Sequence, residues 1–208
     1  MHVLKVLALR SRELGHGEQP FSDHTLGKGI DMGLFDLFKK KDANAEKPER
    51  DVAATAAAAG AVALVAPVSG ETLQLKETTE PLFSAEMLGK GIAIKPSGDT
   101  ACAPVSGTVT MLMPHAVGVT TAGGVEVLIH VGVETVNMKG EGFESLVAQG
   151  DAVEAGQPTL RFDAKKIAAA GCEDTVFVVV TNTAECADVS PVPDGHVEVG
   201  DPVVHVTK

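Results

Sequence analysis

Two histidines near the middle of the chain are the residues best placed to do chemistry. Segments 117–121 and 125–131 are apolar and flank Ala122-Gly123-Gly124, which reads as a hairpin turn. If Ala122-Gly123 forms the tip, His115 falls directly opposite His130. Opposed residues of an antiparallel pair share a face, with Cβ atoms roughly 4.5–5.5 Å apart. A three-residue tip would shift the register by one and put the two rings on different faces. The other five histidines carry less. His2, His16 and His24 lie in a stretch without sustained periodicity, and His196 and His205 fall in a terminal hairpin and read as structural.

Two facing imidazoles permit three kinds of chemistry. Both could bind a metal, but two ligands are too few for a closed site and no adjacent Cys or Asp supplies a third. They could act as general acid and base. Or one ring nitrogen could attack a phosphoryl group while the second ring hydrogen-bonds its oxygens. The third option needs an unprotonated attacking nitrogen, which a carbonyl accepting the other ring N–H would secure. Along the strand, Val125, Val127, Ile129 and Val131 alternate toward a core, leaving Glu126, Leu128 and His130 facing outward. Gly132 then leaves backbone room beside the ring. The pairing alone does not choose among these chemistries or a purely structural role.

The elements that must position the pair are strands. The 208 residues include seven Phe, no Trp and no Tyr, so the core must be built from Val, Ile, Leu and Ala. Twenty-two Gly and eleven Pro imply many turns. Strands are expected at 71–75, 91–94, 107–112, 117–121, 125–131, 175–180 and 202–206, with short helical turns near 82–88, 143–147 and 164–170. The expected fold is all-β, an antiparallel β-sandwich or flattened barrel with few short helical turns. Two echoes imply internal pseudo-duplication. Ala66-Pro67-Val68-Ser69-Gly70 recurs as Ala103-Pro104-Val105-Ser106-Gly107, and Val153-Glu154-Ala155-Gly156-Gln157-Pro158 recurs loosely as Val197-Glu198-Val199-Gly200-Asp201-Pro202.

The rest of the chain divides by composition. Residues 1–31 read as translated upstream sequence ahead of a start at Met32. Residues 32–41 form a short amphipathic segment with Lys39-Lys40-Lys41 at its end, suited to peripheral contact with an anionic membrane. Residues 42–61 are an Ala-rich flexible linker, and 62–208 form the folded domain. The formal net charge of −11 argues against nucleic acid binding and suits a basic protein partner. Cys102, Cys172 and Cys186 are odd in number and widely spaced, which fits a reduced, cytoplasmic chain. No run approaches the ~20 apolar residues of a membrane span.

The text around His130 adds a resemblance. Val127-Leu128-Ile129-His130-Val131-Gly132-Val133-Glu134-Thr135-Val136, followed by Lys139-Gly140-Glu141-Gly142-Phe143, resembles the active-histidine signature of the glucose-family IIA phosphocarriers. These belong to the bacterial phosphoenolpyruvate-dependent sugar phosphotransferase system. The likeness extends to residues 66–70 and 103–109 and to Gly89-Lys90-Gly91-Ile92-Ala93-Ile94-Lys95-Pro96, covering about 65–208. The resemblance implies that His130 takes a phosphoryl group on Nε2 from the phosphohistidine carrier HPr and passes it to a cysteine of a IIB domain. That coupling drives sugar uptake and phosphorylation. It implies that His115 stabilises the group in transfer and that Gly132 offers its carbonyl to the His130 ring. It also implies a partner surface of Phe83, Met87, Leu88, Val131 and Val133 rimmed by Glu80 and Glu134. No cofactor is required.

One departure from the family pattern stands out. Members place two more residues before the first histidine, including a threonine that hydrogen-bonds it, whereas here Met113-Pro114 runs straight into His115. The alternative reading is a regulatory module that binds protein targets through the His115/His130 face, with zinc held between the rings at the partner interface. Lysostaphin-like zinc peptidases share a related β-fold, but their His-x-His and His-x-x-x-Asp pairs do not occur here. Biotin and lipoyl carriers share barrel pieces, but Lys139 is accounted for by the Lys-Gly-x-Gly-Phe motif. The sugar is not specified by this chain.

Overall fold

The computed structural model describes residues 60–208. The expectations for 1–31, for the membrane-suited segment 32–41 and for nearly all of the linker lie outside the described residues. Fourteen strands follow, all antiparallel. They are β1 (Ala61–Val65), β2 (Gly70–Gln74), β3 (Lys90–Pro96), β4 (Thr100–Cys102), β5 (Gly107–Met113), β6 (Ala116–Thr120) and β7 (Glu126–Val133). Then come β8 (Phe143–Ser145), β9 (Ala152–Val153), β10 (Pro158–Phe162), β11 (Glu173–Val180), β12 (Asp188–Pro191), β13 (His196–Val197) and β14 (Pro202–Thr207). Two short helices, α1 (Pro81–Ser84) and α2 (Ala164–Ala169), complete the set. Each starts at an acidic cap, Glu80 for α1 and Asp163 for α2, whose carboxylate accepts from backbone N–H groups of the first turn.

One eight-stranded sheet, in the order β13-β2-β3-β11-β7-β6-β5-β9, packs against two three-stranded sheets, β1-β14-β12 and β4-β10-β8. The larger core lies between these layers and is built from aliphatic side chains such as Leu64, Ile92, Ile94, Val127, Ile129, Leu160 and Val178. This is the β-sandwich that the composition required.

The seven expected strands are all present, with ends shifted by a residue or two. The helical turn expected at 143–147 is instead strand β8, which pairs with β10 through Phe143–Phe162. Three residues cannot show a period, and the sequence there could not be told from a turn.

The two echoes are one pseudo-symmetric device used twice. In the first copy, the Ala66 N–H donates to Asp201 and the Gly200 N–H returns to Ala66. In the second, the Ala103 N–H donates to Gln157 and the Gly156 N–H returns to Ala103. Ser69 Oγ accepts from the Val199 N–H as Ser106 Oγ accepts from the Ala155 N–H. The copies are also bonded to each other, Val65 N–H to the Pro104 carbonyl and Cys102 N–H to the Pro67 carbonyl. The repeated Ala-Pro-Val-Ser-Gly text is thus a matched pair of turns that start β2 and β5.

A second, smaller core covers the other face of the large sheet. The segment between β2 and β3 folds over it and buries Leu75, Phe83 and Leu88 on Ala93, Ala116, Leu128, Phe177 and Val179. Each such side chain stabilises the fold by about 1.5–3 kcal/mol through burial. The face expected to be outward is therefore roofed, and the site lies at the edge of that roof.

Candidate functional site

The β6–β7 hairpin pairs Thr120 with Glu126 and Ala116 with His130. Its tip holds three residues, because Gly124 takes a left-handed φ of 75° and its N–H donates back to Thr121. The expected two-residue tip is thus corrected, and Ala116 rather than His115 stands opposite His130. The rings nevertheless meet, with centroids 4.8 Å apart and planes at 76°. His115 lies in the tight turn between β5 and β6 and so escapes strand alternation. Its carbonyl still accepts the Val131 N–H at 2.8 Å, which holds its backbone beside β7. Opposite His130 there is only the Ala116 methyl, and this leaves space for the His115 ring.

The expected exposure of His130 is also corrected: the residue is 8% exposed and His115 is 3% exposed. Phe83 approaches His130 edge-on at 5.3 Å and itself stacks on Phe177 at 3.9 Å. Phe177 is the β11 residue paired with His130, and Phe143 approaches His115 at 6.4 Å. Three of the seven phenylalanines therefore surround two histidines.

That setting controls charge. Burial pushes the His130 imidazole down from 6.5 to about 3, and the neighbouring His115 adds to the effect. The Gly132 backbone beside the ring favours the protonated form, more weakly. No acceptor stands in hydrogen-bond geometry at His130 Nδ1, however. Burial lowers His115 as well. Both rings are therefore neutral at pH 7. Among the described residues, the buried side-chain nitrogens and oxygens without a hydrogen-bond partner are His115 Nε2 and His130 Nδ1. Leaving such atoms unpaired costs about 1–3 kcal/mol each, and here that cost falls on one pair of rings.

The partner surface expected from sequence is largely corrected. Phe83, Leu88 and Val131 are core residues, and Glu80 is buried with its carboxylate directed at the first turn of α1. Phe83, Leu88 and Glu80 line the pocket that holds the histidines rather than an approach surface. Met87, at 70% exposed, lies on the surface with Glu134, and Val133 is half-buried. Glu134 bonds Asn137 through its carboxylate. His196 and His205 lie on strands away from the pocket, His196 between the carboxylates of Glu71 and Glu198.

Sequence reading missed Phe177 and Thr135. Phe177 could have been found by asking where so few aromatics must go. Thr135 is 1% exposed and lines the pocket, yet sits in a 3-10 turn with no periodic signal. Among the described residues no cluster of three or more His, Cys, Asp or Glu could hold a metal, so any ion between the rings would need ligands from elsewhere. No described helix is long and apolar enough to cross a membrane.

Comparison with known proteins places this geometry. Residues 62–186 match the family "phosphoenolpyruvate-dependent sugar phosphotransferase system, EIIA 1". A glucose-specific EIIA component of Halalkalibacterium halodurans is 37% identical over 156 residues, 74% of this chain and 84% of that protein. A beta-glucoside-specific EIIBCA component of Dickeya chrysanthemi is 41% identical over 160 residues, 74% of this chain. The chain spans only a quarter of that longer relative. The glucose permease IIA of Mycoplasma capricolum has the same fold, with a TM-score of 0.64 and 34% identity over 70% of this chain and 95% of that one. The chain belongs to the glucose-family EIIA components of the phosphoenolpyruvate-dependent sugar phosphotransferase system.

Proposed function

We propose that this protein is a phosphohistidine carrier that receives a phosphoryl group on Nε2 of His130 from phospho-HPr and passes it to a cysteine of a IIB domain. The observation that carries this reading is the neutral, buried His130 ring with Nδ1 sealed from solvent beside Gly132. A phosphoryl acceptor needs a lone pair, and a ring held near 3 supplies one throughout the physiological range. With Nδ1 enclosed, Nε2 is the nitrogen left to react, and this requires the tautomer with its proton on Nδ1.

In the first step the P–N bond of phospho-HPr breaks as a P–N bond forms at His130 Nε2. In the second, that bond breaks as phosphorus bonds the IIB sulfur, and the imidazole lone pair is restored. His115, 4.8 Å away between centroids, donates a ring N–H to the phosphoryl oxygens during both steps. The fused arrangement of EIIA with EIIB in the Dickeya relative supports a IIB acceptor. Met87, Val133 and Glu134 form the accessible part of the docking surface. A cytoplasmic location follows from these partners.

The test is incubation of the full chain with phosphoenolpyruvate, enzyme I and HPr. An acid-labile phosphate on the wild type, lost in His130→Ala, is expected. Absence of label on the folded wild type would sink the carrier reading. The alternative zinc-dependent regulatory role would show instead as partner capture without phosphate uptake.

A further inference from the structure

We infer that Thr135 is a positioning residue that helps set the relative placement of the two histidines through a backbone link beside His130. That link is Val131. Its N–H donates to the His115 carbonyl at 2.8 Å, and its own carbonyl accepts the Thr135 hydroxyl at 2.7 Å. The residue after His130 is therefore tied on one side to the chain that carries the second ring and on the other to Thr135.

The β6–β7 ladder sets Ala116 against His130, but the other side of β7 is irregular just past His130. The β7–β11 ladder slips register between Glu173 and Val176, where the chain passes from Val131 to Val133. The backbone then turns at Gly132, with φ 84°, and at Glu134, with φ 62°. Both branches of the Thr135 side chain meet this turn, and the hydroxyl is the one that ties it down. The hydroxyl holds the Val131 carbonyl. The methyl occupies space that a Cβ on Gly132 would need, 2.2 Å from where that atom would stand, with the Glu173 carbonyl closing the other side at 2.7 Å. Gly132, whose backbone lies beside the His130 ring, is seated between them. Thr135 is 1% exposed, so water does not replace its hydrogen bond.

Thr135 is assigned no contact with the transferred group. It acts through Val131 and Gly132 on which way the His130 ring points and on its distance from His115. In-line transfer is sensitive to such placement, and a misplacement of ~1 Å costs about 100-fold. The kinetic consequence rests on the phosphocarrier reading. The placement itself does not.

The experiment compares Thr135→Val, which keeps the shape and removes the hydroxyl, with Thr135→Ser, which keeps the hydroxyl. The first readout is the ring 15N spectrum of His130 and His115 in the unphosphorylated full chain. The second is phosphoryl uptake from phospho-HPr. T135V is expected to move the 15N resonances of both rings and to lower kcat about 10- to 100-fold with KM little changed, while T135S keeps the wild-type values. Wild-type ring spectra and wild-type kcat in T135V, with only a lower Tm, would overturn the assignment. Should T135V not fold, T135A against T135S reads the same hydroxyl. If the wild type takes up no phosphate, the carrier reading fails, and the ring spectra still decide the role of Thr135.

Discussion

Acid should destabilise this fold through His130 in a way that one substitution removes. In the folded protein the ring stays neutral down to about 3, whereas in the unfolded chain it binds a proton below 6.5. Between those values the unfolded state holds more protons, so stability falls as pH falls. Well inside that window each pH unit removes about 1.4 kcal/mol, and since the unfolded ring is only half-protonated at 6.5, lowering the pH from 6.5 to 4.5 removes about 2 kcal/mol from this group alone. That is a large share of the 5–15 kcal/mol typical of a domain. Other groups titrate too. His115 acts in the same direction, while His196 is raised by its hydrogen bonds to Glu198 and Glu71 and acts oppositely. The difference between wild type and His130→Gln, a neutral replacement, isolates the His130 contribution. Urea unfolding at a series of pH values gives both curves. Wild type should lose stability more steeply than H130Q below pH 6.5, with an extra loss of about 2 kcal/mol by pH 4.5. Parallel curves, or a His130 ring resonance that titrates near 6.5, would refute the reasoning.

Further outcomes follow from the same geometry. Gly132→Ala should destabilise by about 2–4 kcal/mol, because a Cβ there meets both the Thr135 methyl and the Glu173 carbonyl at a left-handed φ, and thermal melts would show it. Phe83→Ala should cost about 3–5 kcal/mol by removing a ring stacked on Phe177, and it should also raise the His130 pKa toward 6.5 by admitting water, measured by histidine NMR. His115→Gln should slow phosphoryl uptake by roughly 100-fold while changing Tm little, since the ring sits in a turn; an unchanged rate would remove His115 from the mechanism.

Much of this site could be read from the sequence, and the failures have physical causes. The Gly123-Gly124 turn and the flanking apolar runs gave the hairpin that carries His130, and the echo of Ala-Pro-Val-Ser-Gly gave the pseudo-duplication. The register could not be read, because either glycine could take the left-handed position, and it is Gly124 that does. The meeting of the two rings was expected from direct opposition and is reached instead through a turn at Pro114 and His115. Strand alternation correctly put Leu128 and His130 on the face away from the large core. It could not say that Leu75, Phe83 and Leu88 would cover that face, because covering is a long-range event. The same gap made Phe83 and Leu88 look like docking surface. Thr135 escaped notice because a lone threonine in a 3-10 turn differs in nothing local from a solvent-exposed one.

The most direct test of the central claim is the position of the phosphate. Full-length protein labelled with 15N-histidine would be phosphorylated by phosphoenolpyruvate, enzyme I and HPr and examined by NMR for phosphorus-to-nitrogen coupling. The expected result is one phosphorylated ring, His130, coupled at Nε2, with the Nδ1 proton retained. Coupling at Nδ1, or phosphate on His115 or any other histidine, would contradict it.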